Sequence, residues 1–215
     1  MNNPIMYADP SGHFVITAAV IWTAIGIGAA IGAAIGLGVT IVKYLENGKL
    51  FDVDVTLLSY VGNTLGGGIV GAGIGLCSVL GAGLGAAIVS NTSLIVGARI
   101  VEGVVVGGVQ ISGLDALGIA AGGAFATGGL GYVVRTAVSD QEELEWSDMF
   151  IEAGANVISG MLTFGGRTVG GLIGVKVPDT KFSFKNFALY HLGAIYFGIY
   201  PIKIILAYIK KKIKE

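Results

Sequence analysis

The chain has 215 residues, 37 of them glycine, with 13% charged residues, a formal net charge of -1 and a mean hydropathy of +0.80. Ordinary soluble domains carry about 25% charge, so these charges are too few to clothe the surface of one or two water-facing cores. The balanced charge argues against nucleic acid as a partner, which needs clustered Lys and Arg, and the single cysteine, Cys77, rules out a disulfide framework and a Cys-based metal site.

In chain order, residues 1 to 13 are polar and turn-rich, with Asn3-Pro4 and Asp9-Pro10-Ser11-Gly12 as breakers. Phe14 to Val42 contains no charge and reads as one helix, about 43 Å long at 1.5 Å per residue, enough to cross a hydrocarbon core of about 30 Å. A polar link, Lys43 to Asp54, reads as a turn between antiparallel helices. Val55 to Ala98, also uncharged, is long enough for two spans, with Ser90-Asn91-Thr92-Ser93 or a glycine cluster as their turn. Gly103 to Ile111 is Val-rich and suits a strand by composition, but its neighbours' spacing favours a helix. Arg99 and Glu102, three apart, would then share a helix face and mark a membrane boundary, as would Arg135 and Arg167. Ala116 to Val134 supplies 19 further uncharged residues.

An acidic connector from Asp140 to Glu152 comes next, read as a solvated linker or as a segment whose protonation eases insertion. Met149 to Val175 is another glycine-spaced segment, and Pro178-Asp179 is a break. In the terminal segment Ile202, Ile205, Leu206, Ile209 and Ile213 keep helical spacing, whereas Lys203, Lys210, Lys211, Lys212 and Lys214, near several tyrosines, suit a helix at a headgroup layer. Three regions result: residues 1–13, a Gly-rich helical region 14–138, and the connector with its two helices, 139–215. Tyr60 to Gly66 and Ala153 to Gly160 echo each other weakly, as in a duplicated hairpin.

Inside these apolar runs glycine recurs every fourth residue: Gly28, Gly32 and Gly36; Gly67, Gly71 and Gly75; Gly166, Gly170 and Gly174. Residues four apart share a helix face, so each triplet forms a groove that admits another backbone. In water each helical glycine costs about 0.8 to 1 kcal/mol relative to Ala. The expected fold class is therefore mainly α: Gly-rich apolar hairpins with membrane-type packing through glycine zippers.

Chemistry-bearing constellations are sparse. His13 and His191 are the two imidazoles, distant in sequence and without metal-ligand spacing. Gly81-Ala82-Gly83-Leu84-Gly85-Ala86 imitates a dinucleotide fingerprint but lacks a preceding strand and a later acidic residue in a βαβ frame. No cofactor, metal or catalytic residue is expected, and the chain does not read as an enzyme.

Asn2-Asn3-Pro4-Ile5-Met6-Tyr7-Ala8-Asp9-Pro10-Ser11-Gly12-His13 resembles the closing motif of the RHS/YD-repeat core of polymorphic toxins, which runs Asn-Pro, an aromatic, then Asp-Pro-x-Gly. The resemblance implies that Asp9, Pro10 and Gly12 belong to a self-cleavage element cut near His13, within a shell of repeats and with a cognate immunity protein as partner. The repeats and the upstream half of the processing site are absent, and His13 replaces an aliphatic residue, so autoproteolysis is not expected. The region C-terminal to this motif varies within the family, so nothing past His13 inherits a function.

The expected function is a membrane-inserting effector, carrier-bound before delivery, that partners the target cell's lipid bilayer, self-associates and dissipates its ion gradient. The end of the chain at Glu215, without room for a nuclease or transferase, favours it. A hydrophobic translocation or spacer region preceding an enzymatic toxin domain explains the same composition. A soluble Gly/Ala-rich helical oligomer is the third reading.

Overall fold

Helices this rich in glycine are stabilised by their neighbours rather than by propensity, and the chain supplies those neighbours from within. The computed structural model describes residues 14–46, 57–101, 104–106, 108–139 and 143–172. Four helices, α1 (Ala18–Glu46), α2 (Leu57–Val89), α3 (Gly113–Val138) and α4 (Trp146–Leu172), form a bundle. They run alternately up and down. Four short strands, β1 (Phe14–Thr17), β2 (Leu94–Val101), β3 (Val104–Val106) and β4 (Val109–Ile111), close one end of it.

α2 is the hub, packing against α1, α3 and α4, while α3 and α4 also pack on each other and α1 lies along α2. Its C-terminus is closed by a Schellman motif: Asn91 takes φ 55°, Thr92 N–H donates to Ala87 O at 2.9 Å and Asn91 N–H to Ile88 O at 3.1 Å. α3 opens with a capping box, in which Ser112 Oγ accepts from Asp115 N–H at 3.1 Å and Asp115 Oδ2 accepts from Ser112 N–H at 3.0 Å. Such a cap is worth about 1 kcal/mol. Both devices stand at the sheet end, where the chain leaves α2 for β2 and enters α3 from β4.

In the sheet, β2 pairs with β1 in parallel, Phe14 opposite Leu94, and with β3 and β4 antiparallel. Between Ile16 and Thr17 the register slips past Gly97, whose φ of 79° suits glycine at such a bulge. Ile16 and Leu94 reach down onto Gly83 of α2, tying the sheet to the bundle.

The core is built largely from small residues. Ala116, Ala120 and Ala124 of α3 are completely buried at four-residue spacing, opposite Cys77 of α2 and Gly160 of α4. Polar side chains inside the helices bond to backbone, as membrane helices do: Thr40, Thr136 and Thr163 each donate to the carbonyl four residues back. Asn156 crosses between helices, its Nδ2 donating to Ala124 O at 2.7 Å and to Thr127 Oγ1 at 3.1 Å.

Several sequence expectations need correction. Gly103 to Ile111 is not a helix: Val104 to Val106 and Val109 to Ile111 are strands on β2. Consecutive β-branched residues fit a pleated surface better than a helix. Arg99, on β2 opposite Val106, therefore does not share a helix face with Glu102, which lies outside the described residues. Val55 to Ala98 holds one 33-residue helix instead of two spans; its glycines lie at packing seams, not turns, and Ser90 to Ser93 leads into a strand. Phe14 to Thr17 is a strand, and α1 extends beyond Val42 to Glu46. α4, grouped by sequence with the C-terminal region, belongs to the same bundle as α2 and α3.

Asn156→Leu removes both cross-helix bonds and should lower stability by about 0.6 to 2 kcal/mol. Denaturation of the full chain in detergent measures the loss, with Ile158→Leu on the exposed face as a control of little effect.

Candidate functional site

Two glycine triplets face each other along the α1/α2 seam. A methyl group added to Gly28 would fall on Gly71 O and within 3.0 Å of Gly75 Cα; on Gly32 it would strike Gly67 O, and on Gly36 Asn63 O. The reverse holds for Gly67 and Gly71 against Gly32 and Gly28, whereas Gly75 meets Ala24 O. Backbone thus lies on backbone for more than two turns, the close approach that small residues permit between helices in lipid.

The third triplet behaves differently. Gly166 is exposed, with nothing within 4 Å of an added methyl; Gly170 lies in α4, and Gly174 lies outside the described residues. α4 packs instead through Ala153, Asn156, Gly160 and Phe164, which meet Gly128, Cys77, Ala124 and Gly81. Sequence reasoning missed this stripe because it mixes four residue types, a single glycine among them. It also missed Gly62 and Gly66, which press on Arg135 O and Gly131 O of α3; their four-residue spacing was visible but overshadowed by Gly67 and Gly71. Gly81 to Ala86 lies within α2, buried against α4 and the sheet, so it forms no loop that could cradle a pyrophosphate. Asp9, Pro10, Gly12 and His13, and Lys203, Lys210, Lys211, Lys212 and Lys214, lie outside the described residues.

The outer surface is as informative as the seams. Among the described residues, three helices are long and apolar enough to cross a membrane, over Ala18–Leu45, Leu57–Val89 and Gly113–Val138. The first, uncharged up to Lys43, has few of its residues buried within the bundle. Trp22 is 71% exposed, Leu45 61% and Leu114 80%, with Val39, Val42, Leu130, Phe150 and Leu162 also outside. Single exposed apolar residues are normal, but here large ones lie outward on every helix of the bundle.

Charges on the described helices lie at two levels. At the loop end are Lys43 and Glu46 of α1, Arg135 of α3, Asp148 and Glu152 of α4 and, just before α4, Glu145, with Arg135 Nη2 3.6 Å from Glu152 Oε1 and Tyr132 OH accepting from Glu145 N–H at 3.2 Å. At the sheet end are Asp115 and Arg167, the latter beside Thr168, whose hydroxyl donates to Gly81 O at 3.2 Å. Between Asp115 and Arg135 run 19 uncharged residues, about 28 Å of helix, close to the thickness of a hydrocarbon core. Among the described residues, no group of three or more His, Cys, Asp or Glu side chains is placed to hold a metal.

Gly32→Leu should force α1 away from α2 and cost about 1 to 3 kcal/mol or more, because the obstacle is backbone and cannot rotate aside. Gly26→Ala and Gly38→Ala, where an added methyl meets nothing within 4 Å, should instead stabilise the helix by up to about 1 kcal/mol. Unfolding midpoints in detergent separate the two classes.

No family model matches the chain, and no curated protein or solved structure matches it either.

Proposed function

We propose that the chain is a membrane-associated helical module, a packed bundle whose outer face is solvated by lipid and which serves insertion or translocation rather than chemistry. The observation that supports this most strongly is α1, apolar on nearly all sides yet covered along one narrow seam. In water its bare face would have to be hidden by another surface; in lipid it needs nothing. The charge-free band between Asp115 and Arg135 and the placement of the open-edged sheet at one end agree, because unpaired sheet edges are not tolerated in hydrocarbon.

In this reading the RHS-like segment, residues 2 to 13, ties the module to an RHS-type carrier, and the bundle is the hydrophobic part that the carrier delivers. A depolarising effector is the second reading, favoured by the uncharged helices themselves. Ala116, Ala120, Ala124, Cys77 and Leu80 fill the centre where α2, α3 and α4 meet, so conduction by this bundle would require several copies around a shared axis.

Expression of the full chain in bacteria tests both. We expect the protein in the membrane pellet after carbonate extraction, with membrane potential unchanged; release to the supernatant overturns the membrane reading, and collapse of potential replaces translocation by the effector reading. A second test uses Ala30, exposed near the middle of α1. Ala30→Asp should disfavour insertion by about 2.5 to 3.5 kcal/mol if that face meets lipid, and should change stability by less than about 0.5 kcal/mol if it meets water. Membrane partitioning of the variant reads the difference.

A further inference from the structure

The two ends of the bundle are built differently. Residues 47–56 join α1 to α2 and residues 139–145 join α3 to α4, so both inter-helix links belong to the loop end. At the opposite end the chain enters through β1, passes from α2 to α3 by way of the sheet, and leaves α4 at Leu172. Among the described strands, β1, β3 and β4 each pair with β2 alone, so their outer edges stay open.

Charge follows the same division. In the loop-end segments, residues 43–54 hold Lys43, Lys49 and three carboxylates, and residues 135–152 hold Arg135 and six carboxylates. Arg135 pairs with Glu152, but pairing within one end leaves its net charge unaltered. In the sheet-end segments Arg99 stands against Glu102 and Asp115, and residues 167–185, which run from the last turn of α4 onward, hold four cations against Asp179. Lysine and arginine thus favour the sheet end and carboxylates the loop end. Sequence order conceals this, because residues 43–54 and 135–152 share an end only through the up-and-down course of the helices.

From this we infer that the bundle enters a bilayer in one direction, the loop end leading to the far side and the sheet end staying on the side of entry. The inference rests on the membrane reading of the chain. Three physical terms choose the same direction. Leading with the loop end draws two short links through hydrocarbon; leading with the sheet end draws open strand edges through it, and unsatisfied backbone groups there are costly. Lysine and arginine near span ends are held on the cytoplasmic side, where carboxylates count for little. A potential negative inside pulls a net negative end outward, by about fiftyfold in equilibrium per elementary charge per 100 mV.

The full chain expressed in bacteria, with one added cysteine at either end, supplies the test. Ser147→Cys marks the first turn of α4 and Gln110→Cys marks β4, both at exposed positions. Cys77 is fully buried, and wild type gives the background. A membrane-impermeant maleimide added to intact spheroplasts should label Ser147→Cys about tenfold more than Gln110→Cys, and permeabilisation should equalise them. Glu143→Lys with Glu145→Lys, at exposed positions, brings the cations of the two ends level and should lower outward labelling of Ser147→Cys, whereas Glu143→Gln with Glu145→Gln should keep it. Stronger labelling of Gln110→Cys, equal labelling before permeabilisation, or no labelling of either end from outside overturns the inference, as does outward labelling that the lysine pair leaves unchanged. Each of these leaves the proposed function standing as long as wild type resists carbonate extraction; release of wild type to the supernatant overturns both.

Discussion

Where α1 crosses α2 there is no layer of side chains between the two backbones, and the remaining architecture depends on that. Gly28, Gly32 and Gly36 lie on the carbonyls of Gly71, Gly67 and Asn63, so attraction comes from many short van der Waals contacts rather than from large apolar residues withdrawn from water. This leaves Val, Ile, Leu and Trp side chains available for the outside. The inversion of the usual inside-outside rule in α1 is therefore one arrangement with the seam, since a narrow contact of small residues necessarily leaves the large ones facing outward.

The same economy organises the other helices. α2 presents Gly67, Gly71 and Gly75 to α1, Gly62 and Gly66 to α3, and Gly81 to α4, so a single glycine-rich helix accommodates three partners at short range. Asn156 and Cys77 add directional bonds to carbonyls of α3, which fix the rotation of helices whose smooth surfaces would otherwise slide. Polar atoms thus serve register, small residues serve proximity, and many of the large apolar residues are left for the exterior.

Much of this was legible in the sequence because three physical signals coincide: missing charge, helical length and four-residue glycine spacing. Gly28 and Gly71 could be placed on helix faces from spacing alone, though not assigned to each other. The rest was obscured by glycine itself, which lacks the hydrophobic contrast that defines a face and is also a turn former, so one 33-residue helix resembled two spans. The strands were hidden for another reason. Val104 to Val106 carries no alternating pattern, so although its partner β2 immediately precedes it in the chain, no local periodicity announces the pairing.

The parallel pairing of β1 with β2 joins the start of α1 to the end of α2, so the hairpin between them is fastened at both extremities. Closing so long a loop carries an entropic cost that is met only once both strands exist. During synthesis or threading, α1 and α2 can therefore meet as a hinged pair first, and the clasp at the opposite extremity snaps shut after Leu94 emerges. The strand next after α2, rather than any helix, is therefore the element that decides when the pair becomes locked.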